Sequence, residues 1–257
     1  MDPLVEMKGI YKLFGGLCAL KNVDFQIFPA EVVGLVGDSA AGKSTLMKVL
    51  AGVFPPTEGE IFVDGQRHYF KSPQDARNVG IEMLFQDLAL VPELDVTDNL
   101  FLGKEISKKV FGRDIKFLLD RKIMEKKTED FLGELEINVD SVKEKVKNLS
   151  GGQRQSVSIA RTIFFNARLV ILDEPTSAIS VKETQRVLEL ILQLKKRGIS
   201  VIIVSHRMED IFNVADRIVV LRRGQKVEDV HKIDTSLEMI IKRIIGIANN
   251  LNRDEEK

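Results

Sequence analysis

The chain has 257 residues, enough to bury a large core as one big α/β domain or as a domain that carries an inserted lobe. Lys plus Arg and Asp plus Glu are balanced at 38 each, so no net field favours nucleic acid or anionic lipid as a partner. Cys18 is the only cysteine, which excludes an internal disulfide and suits a reducing compartment. The sequence shows no signal peptide, and no stretch of it approaches the length of ~18 apolar residues that a membrane span requires. We therefore expect a cytosolic protein whose membrane contacts come through partners.

The first elements of the chain are predicted to be antiparallel strands. The segments LVEMKGIYKLF (4–14) and CALKNVDFQIF (18–28) are expected to pair through the turn Gly15-Gly16. The segment GEIFVDGQ (59–66) adds another strand with an Asp-Gly turn. Together they predict an antiparallel β subdomain near the N-terminus.

A small-residue loop, GDSAAGKST, follows the apolar run EVVGLV and enters a helix-like segment. Such a loop leaves several N–H groups unpaired and pointing one way, where the helix dipole also favours negative charge. The spacing matches G-x-x-x-x-G-K-[ST], so we expect Lys43 to reach the β- and γ-phosphates of a nucleoside triphosphate and Ser44 to ligate Mg²⁺. Ala40 occupies a position that is often glycine. The predicted nucleotide-binding residues of the loop are Gly37, Asp38, Ser39, Ala40, Ala41, Gly42, Lys43, Ser44 and Thr45.

Apolar runs of strand length alternate with helical patterns through the rest of the chain, which predicts an α/β fold with a mostly parallel sheet covered by helices. Several runs end at a polar or acidic residue, where such sheets place their chemistry. The candidate core strands are VVGLVG (32–37), VGIEMLF (79–85), RLVILDE (168–174), ISVIIVS (199–205) and RIVVLRR (217–223).

Between Asp87 and Ile159 the pattern changes to helices and charge-rich connectors such as KEISKKVFGRDIK. We interpret residues 87–159 as an inserted helical subdomain, with residues 1–86 and 160–257 forming the nucleotide-binding core and its antiparallel subdomain. The boundaries are those at which the apolar pattern changes.

The motif LSGGQ opens a helix within this region, with Ser150 in the N-cap position. Ser150, Gly151, Gly152 and Gln153 expose amides and a hydroxyl at a helix N-terminus, which predicts a second anion-binding surface. If the two surfaces lie far apart on one face, a single γ-phosphate meets both only when two chains dock head to tail.

The apolar strand LVILDEP ends in two neighbouring carboxylates. Asp173 is suited to hold Mg²⁺ through its water shell. Glu174, beside a metal and a γ-phosphate, can polarise the attacking water. Alone, this pair is also typical of a solvated turn, and the phosphate loop upstream favours the catalytic interpretation.

In order and spacing, these motifs resemble the ATP-binding cassette ATPases, the motor subunits of ABC transporters, over nearly the whole chain. The resemblance implies a P-loop NTPase (RecA-like) core, with ATP and Mg²⁺ as ligands. It also implies that Gln86 belongs to the catalytic residues and to the metal site, where it senses Mg²⁺, and that it faces the membrane partner. His206 in IVSHR resembles the switch histidine that contacts the γ-phosphate, and Phe14 in KLFGG resembles the aromatic that stacks on adenine.

The segments QDLALVPELDVTDNLFLGKE and EPTSAISVKETQRV resemble the branch of these ATPases that drives monosaccharide import. Ser180 stands where many cassettes place an aspartate. The resemblance implies a second cassette subunit, a homodimer being expected, with ATP shared across the interface. It also implies two membrane-spanning permease subunits, indirectly a sugar-binding protein, and a peripheral location on the cytoplasmic face of the membrane. We expect residues 87–91 to form part of a groove for a short permease helix.

Two functions from other classes remain open. A soluble cassette ATPase of translation or DNA repair would normally bring a second cassette, a long coiled coil or a basic surface, and none is visible in the sequence. A non-hydrolysing, nucleotide-gated interaction module would tolerate loss of the base or of the Mg²⁺ ligand, whereas Lys43, Asp173 and Glu174 are all present. An ATPase assay with and without Mg²⁺ separates this module from an enzyme.

Overall fold

The computed structural model describes residues 2–85, 87–110, 113–177 and 179–246, which form strands and helices in alternation. Gln86, with its predicted place at the metal site, lies outside the described residues. The strands are β1 (Val5–Phe14), β2 (Leu17–Ile27), β3 (Val32–Val36), β4 (Glu58–Val63), β5 (Gln66–His68), β6 (Ile81–Leu84), β7 (Ser107–Val110), β8 (Arg113–Leu119), β9 (Leu169–Asp173), β10 (Ser200–Val204), β11 (Arg217–Arg222) and β12 (Gln225–His231). The helices are α1 (Lys43–Leu50), α2 (Pro73–Asn78), α3 (Val96–Phe101), α4 (Arg121–Glu134), α5 (Gly151–Ile163), α6 (Val181–Lys196), α7 (Met208–Val214) and α8 (Leu237–Ile245).

The predicted antiparallel strands form a four-stranded sheet in the order β2-β1-β4-β5. β1 and β2 pair antiparallel through the turn at Gly15-Gly16, as the sequence predicted. β4 and β5 are joined by Asp64 and Gly65, which have φ of 50° and 74°. Positive φ at both central residues is the geometry for which Asp-Gly turns are favoured, because its twist matches that of the paired strands.

The central sheet has six strands in the order β12-β11-β3-β10-β9-β6. All five core strands predicted from apolar runs are in it, and they pair in parallel with one another, while β12 pairs antiparallel with β11. Every residue of β3 and β10 is buried. Strands covered on both faces read as continuous apolar runs, which is why their sequences carry no alternation. The α/β prediction is confirmed.

The core lies on both faces of this sheet. Along β3, Val32 and Val36 pack into one apolar cluster with residues of α5 and α6, whereas Val33 and Leu35 pack into another with α1 and the antiparallel sheet. The division follows from the strand period of two, which sends neighbouring side chains to opposite faces. The phosphate loop therefore leaves a strand that is held from both sides.

Residues 87–159 contain an antiparallel strand pair that was not predicted. β7 and β8 pair between α3 and α4, where we expected helices and charge-rich connectors. Ile115, Phe117 and Leu119 alternate in sequence, a strand signal that the surrounding charges obscure. α5 runs through the proposed boundary at 159, and the division into core and inserted subdomain remains a prediction. Within the described ranges, no helix has the length and apolar character needed to cross a membrane.

A buried ion-pair cluster joins the two sheets at Arg217, the first residue of β11. Its side chain donates hydrogen bonds to Glu31 Oε1 (2.7 Å), Asp229 Oδ1 (2.5 Å) and the Gln26 carbonyl (2.7 Å). Burial works to lower the pKa of Arg217, but the hydrogen bonds with Glu31 and Asp229 raise it above its ordinary value. The cluster thus ties β2, the turn before β3, β11 and β12 together.

We expect Arg217→Ala to lower the free energy of unfolding by about 3–5 kcal/mol, because it leaves the Glu31 carboxylate buried without its partner. Urea denaturation followed by circular dichroism measures the change. Arg67→Ala is the matched control. Arg67 pairs with Glu60, with side chains 69% and 41% exposed, so its loss should cost no more than about 1 kcal/mol. Equal losses in the two variants would contradict a structural role for the buried cluster.

Candidate functional site

The carboxyl ends of three neighbouring strands bring the candidate site together. Leu35 of β3 lies opposite Val204 of β10, and Val204 lies opposite Asp173 of β9. The phosphate loop begins after β3, Glu174 follows β9 and His206 follows β10. Because the strands are parallel, all three connections leave the same edge of the sheet.

The backbone of the phosphate loop depends on its glycines. Gly37 has φ of 150°, and a Cβ there would lie 2.1 Å from the Leu221 carbonyl oxygen. Gly42 has φ of 102°, and its Cβ would lie 2.9 Å from the carbonyl oxygen of Ala19. Ala40 has φ of 62°, in the left-handed region that glycine occupies at lower cost. The local conformation therefore explains why a glycine is often found at the position of Ala40.

Lys43, the first residue of α1, folds back over the loop. Its Nζ donates to the carbonyl oxygens of Gly37 (2.7 Å) and Asp38 (2.8 Å). Burial lowers the pKa of Lys43, and the carboxylates of Glu174, Asp173 and Asp38 oppose that shift. The ammonium group is thus held between the loop and the acidic pair, where a nucleotide phosphate would meet it.

Asp173 and Ser44 provide an oxygen donor set at the start of α1. Burial raises the pKa of Asp173, and Glu174 adds to the rise, whereas the neighbouring Ser44 hydroxyl lowers it. A carboxylate that is costly to ionise gains from a cation close by. Carboxylate and hydroxyl oxygens are ligands that Mg²⁺ accepts, so these residues fit the predicted metal.

Glu174 presents its carboxylate beside His206. Its Oε2 is buried and lies 2.9 Å from His206 Nδ1, a distance at which the two groups form an ion pair when the imidazole is protonated. The Glu174 backbone has φ of 54°, and its amide donates to the Val204 carbonyl at 2.9 Å. The His206 side chain is 70% exposed. A carboxylate placed in this way is suited to accept a proton from water.

Contacts not foreseen from the sequence position the connections after β9 and β10. The buried Thr176 hydroxyl donates to Asp210 Oδ2 at 2.6 Å. Arg207, next to His206, donates to the Thr176 carbonyl at 3.4 Å and lies 3.4 Å from Asp210 Oδ2. These contacts bind the start of α7 to the segment after Glu174 and so keep His206 beside the acidic pair.

Phe14 lies at the mouth of a cavity of about 470 Å³ that the phosphate loop also lines. The ring is 45% exposed and packs edge-to-face on Phe54, with centroids 5.2 Å apart. Lys12 Nζ lies 5.2 Å from the Phe14 centroid. Sequence inspection missed several residues that line this cavity: Leu17, Cys18, Ala19, Arg223 and Gly224. Of these, only Gly224 had a signal in the sequence, as a glycine in the turn between β11 and β12.

The second anion-binding surface has the predicted helix cap. The Ser150 hydroxyl accepts a hydrogen bond from the Gln153 amide (3.1 Å), and Gln153 Oε1 accepts one from the Ser150 amide (2.9 Å). Gly152 and Gln153 line a different cavity, of about 230 Å³, against α6. Among the described residues, none of 150–153 lines the cavity at Lys43. The two predicted anion-binding surfaces of one chain therefore line separate cavities.

Residues 87–91 are anchored to α5. The Leu88 carbonyl accepts from the Ser158 hydroxyl at 2.6 Å, and the Ala89 carbonyl accepts from Arg161. Leu88 and Ala89 line two neighbouring grooves, and Leu90 lines one of them while packing half-buried against the core. Ala89 is exposed, with φ of 52°.

Comparison with known sequences places these features in context. A family model described as "ABC transporter" matches residues 20–177, and one described as "P-loop domain" matches residues 119–242. The chain is 42% identical to the xylose/arabinose import ATP-binding protein of Sulfolobus acidocaldarius, covering 96% of each. It is 40% identical to the fructose import ATP-binding protein of Rhizobium meliloti, covering 95% of each. The ribose import ATP-binding protein of Yersinia pestis is 39% identical over 99% of this chain but only 49% of its own length.

Solved structures show the same fold. An ATP-binding cassette of an ABC transporter in its ADP conformation is 25% identical, with a TM-score of 0.81 over 96% of this chain and all of its own (100%). A dimeric cassette in a post-hydrolysis state, bound to ADP and Pi, is 26% identical, with a TM-score of 0.72 over 89% of this chain and 98% of its own. The P-loop fold expected from the motifs is confirmed.

We predict that Glu174→Gln retains ATP binding and slows hydrolysis by roughly 10²–10⁴-fold, the usual effect of losing a positioned base. Steady-state phosphate release and nucleotide binding measure the two properties. Glu129→Gln, on the exposed face of α4, is the control and should keep both. Unchanged turnover in Glu174→Gln would remove Glu174 from this role.

Proposed function

The chain belongs to the ABC transporter family of ATP-binding proteins, and we propose that it powers the import of a monosaccharide by binding and hydrolysing ATP. The observation that carries the proposal is the meeting of the phosphate loop, Asp173, Glu174 and His206 at one sheet edge. Sugar import rests on relatives named for xylose/arabinose, fructose and ribose import, two of which match along nearly their whole length. Which sugar is carried depends on other subunits.

Each site residue has a proposed part in ATP hydrolysis. Residues 37–45 cradle the phosphates with backbone amides, and Lys43 contacts the β- and γ-phosphates. Ser44 and Asp173 would hold Mg²⁺, which when bound neutralises charge on the phosphate oxygens. Glu174 accepts a proton from the attacking water through its carboxylate. His206, 2.9 Å from that carboxylate, contacts the γ-phosphate.

The remaining predicted residues complete the nucleotide site. Phe14 stacks on adenine from the mouth of the cavity. Gln86 is proposed as a further Mg²⁺ ligand, since in the sequence it comes two residues after β6, whose last residue Leu84 pairs with Leu172, next to Asp173. Ser150, Gly151, Gly152 and Gln153 are proposed to face the nucleotide held by a second chain, while the Gly152 and Gln153 amides stabilise this turn by donating to Glu183 and to the Ser150 hydroxyl.

We propose a head-to-tail homodimer with ATP shared across the interface. The two anion-binding surfaces of one chain line separate cavities, so the surface at Ser150 serves the nucleotide at Lys43 of the partner. The dimeric structural relative bound to ADP and Pi supports the association of two cassettes. Closure around ATP would be the power step for the membrane subunits, and hydrolysis would let the dimer reopen.

The partners are proposed to be two membrane-spanning permease subunits and, through them, a sugar-binding protein, with the dimer on the cytoplasmic face of the membrane. The permease helix is placed against Leu88 and Ala89, which line two grooves beside α5. With balanced charge, the chain offers no general attraction to nucleic acid, which disfavours a role in translation or DNA repair.

We expect complementation between two inactive variants. Lys43→Ala removes a phosphate contact from the loop of residues 37–45, the phosphate cradle. Ser150→Arg blocks the surface of residues 150–153, the signature surface. Each variant alone therefore forms dimers with both sites inactive. A mixed dimer keeps one site built from the intact cradle of one chain and the intact signature of the other. With random pairing about half the dimers are mixed, so ATPase should recover to about a quarter of wild type if the sites act independently.

The assay contains the membrane subunits, and differently tagged chains show whether mixed dimers form. A mixture that stays dead although mixed dimers are present would argue against a shared site or against turnover at a single intact site. A stable monomer with full, concentration-independent ATPase would decide for a site completed within one chain.

A second prediction concerns the groove at Ala89. Ala89→Glu should abolish transport while leaving the ATPase of the isolated subunit nearly intact, because the residue is exposed and does not line the cavity at Lys43. Ala89→Gly, which fits the left-handed backbone, is the control and should transport normally. Sugar uptake in reconstituted vesicles measures the effect. Full uptake by Ala89→Glu would place the permease contact elsewhere.

A further inference from the structure

The Glu183 carboxylate joins the N-termini of two helices. It accepts three hydrogen bonds, from the Gly152 amide to Oε1 (2.9 Å) and from the Ser180 amide (3.1 Å) and hydroxyl (2.9 Å) to Oε2. Gly152 lies in the first turn of α5 and Ser180 is the N-cap of α6. One side chain therefore bridges the signature motif and the segment that follows Glu174.

The contact at Gly152 leaves no room for a side chain. A Cβ on Gly152 would lie 2.4 Å from Glu183 Cγ and 2.7 Å from its Cβ. The second glycine of LSGGQ thus admits the stem of Glu183, and the short distance lets the carboxylate reach the Gly152 amide. Removing the Glu183 side chain would leave empty space beside the signature turn and would also remove the hydrogen bond to the Gly152 amide.

The charge of Glu183 suits this position. The hydrogen bond from the Gly152 amide, followed by those from Ser180, lowers the pKa of Glu183 to about 2. The carboxylate therefore stays ionised throughout the neutral pH range. It also lies at the positive ends of the α5 and α6 dipoles, where negative charge is favoured.

Ser180 is matched to this carboxylate. Its hydroxyl donates to Glu183 Oε2, and it also accepts from the Glu183 amide at 3.4 Å. An aspartate at position 180 would, when ionised, have no proton to donate and would set a second negative charge beside Glu183. The serine and the glutamate therefore form one unit.

The segment that carries Ser180 begins at the proposed base. The Ser177 amide and hydroxyl both donate to the Glu174 carbonyl, at 3.1 and 2.8 Å. Further along, Ile179 Cγ2 lies 3.7 Å from where a Cβ on Gly151 would stand. Contacts therefore flank this segment at both ends, with Glu174 at its start and, through Ser180 and Glu183, with the turn at Gly152.

We infer that Glu183 is a positioning residue for ATP hydrolysis, which holds the Ser150–Gln153 turn in the orientation that completes the nucleotide site of the partner chain. The inference rests on the head-to-tail site of the proposed function. Glu183 itself touches no substrate. Its defect should therefore follow the signature surface of a chain and spare the phosphate cradle of that same chain.

Glu183→Ala tests this placement by complementation. Alone, the variant should bind ATP as wild type does and hydrolyse it roughly 10–10²-fold more slowly, the scale expected when a reacting constellation is displaced. Mixed with Lys43→Ala, it should regain ATPase to the level of the Lys43→Ala and Ser150→Arg mixture. Mixed with Ser150→Arg, it should not, because both chains then carry a damaged signature surface.

The opposite pattern would be recovery in the mixture with Ser150→Arg and none in the mixture with Lys43→Ala. It would place Glu183 on the cradle side and overturn the inference. Recovery with neither would mean a general structural defect, and wild-type activity in Glu183→Ala by itself would show that the bridge is unimportant. Glu189→Ala, further along α6 and exposed, is the matched control and should hydrolyse ATP normally. Ser180→Thr should retain activity, whereas Ser180→Asp should share the defect of Glu183→Ala.

Hydrogen exchange decides the inference without a dimer. In Glu183→Ala the amides of residues 150–153 should exchange faster, while those of α1 keep their protection and the melting temperature changes little. Unchanged exchange at Gly152 would overturn the inference. If the Lys43→Ala and Ser150→Arg mixture itself fails, the shared site of the proposed function is lost, and the exchange result still reports whether Glu183 holds the signature turn.

Discussion

The parallel pairing of β3, β10 and β9 is the constraint on which the site depends. Leu35, Val204 and Asp173 lie opposite one another across these strands, so the connections that follow start within a few ångströms of each other. The strands are buried on both faces, and the buried cluster at Arg217 fixes the neighbouring β11. The catalytic groups can be carried by short connections because the sheet beneath them is held on every side.

Local strain in the site is confined to those connections. Gly37 and Gly42 adopt conformations that a side chain would prevent, and Ala40 and Glu174 adopt left-handed ones at some cost. Hydrogen bonds stabilise the Glu174 conformation, because its amide donates to the Val204 carbonyl of β10 and its carbonyl accepts from Ser177. The Glu174 carboxylate is therefore presented beside His206, at the point where the proposed mechanism activates water.

Lys43 and Gly152 line different cavities, and neither cavity has the groups of the other. This separation is the reason for proposing that two chains complete each nucleotide site. In that proposed dimer, hydrolysis depends on how accurately each chain presents residues 150–153 to the other. Glu183 makes that presentation a property of α6, the helix that also receives the segment after Glu174.

The sequence by itself determined the five buried strands, the antiparallel pairs β1–β2 and β4–β5 and the phosphate loop, because these depend on local apolar runs, turn residues and a fixed motif spacing. The strand pair β7 and β8 escaped because charges mask a short alternation. Only the tertiary structure decided the hydrogen bonds of Glu183, the burial of Arg217 among Glu31 and Asp229, and the presence of Arg223 beside the nucleotide cavity. Each joins residues that are distant along the chain, and whether a charged side chain is a solvated surface group or a buried partner depends on what the fold packs against it.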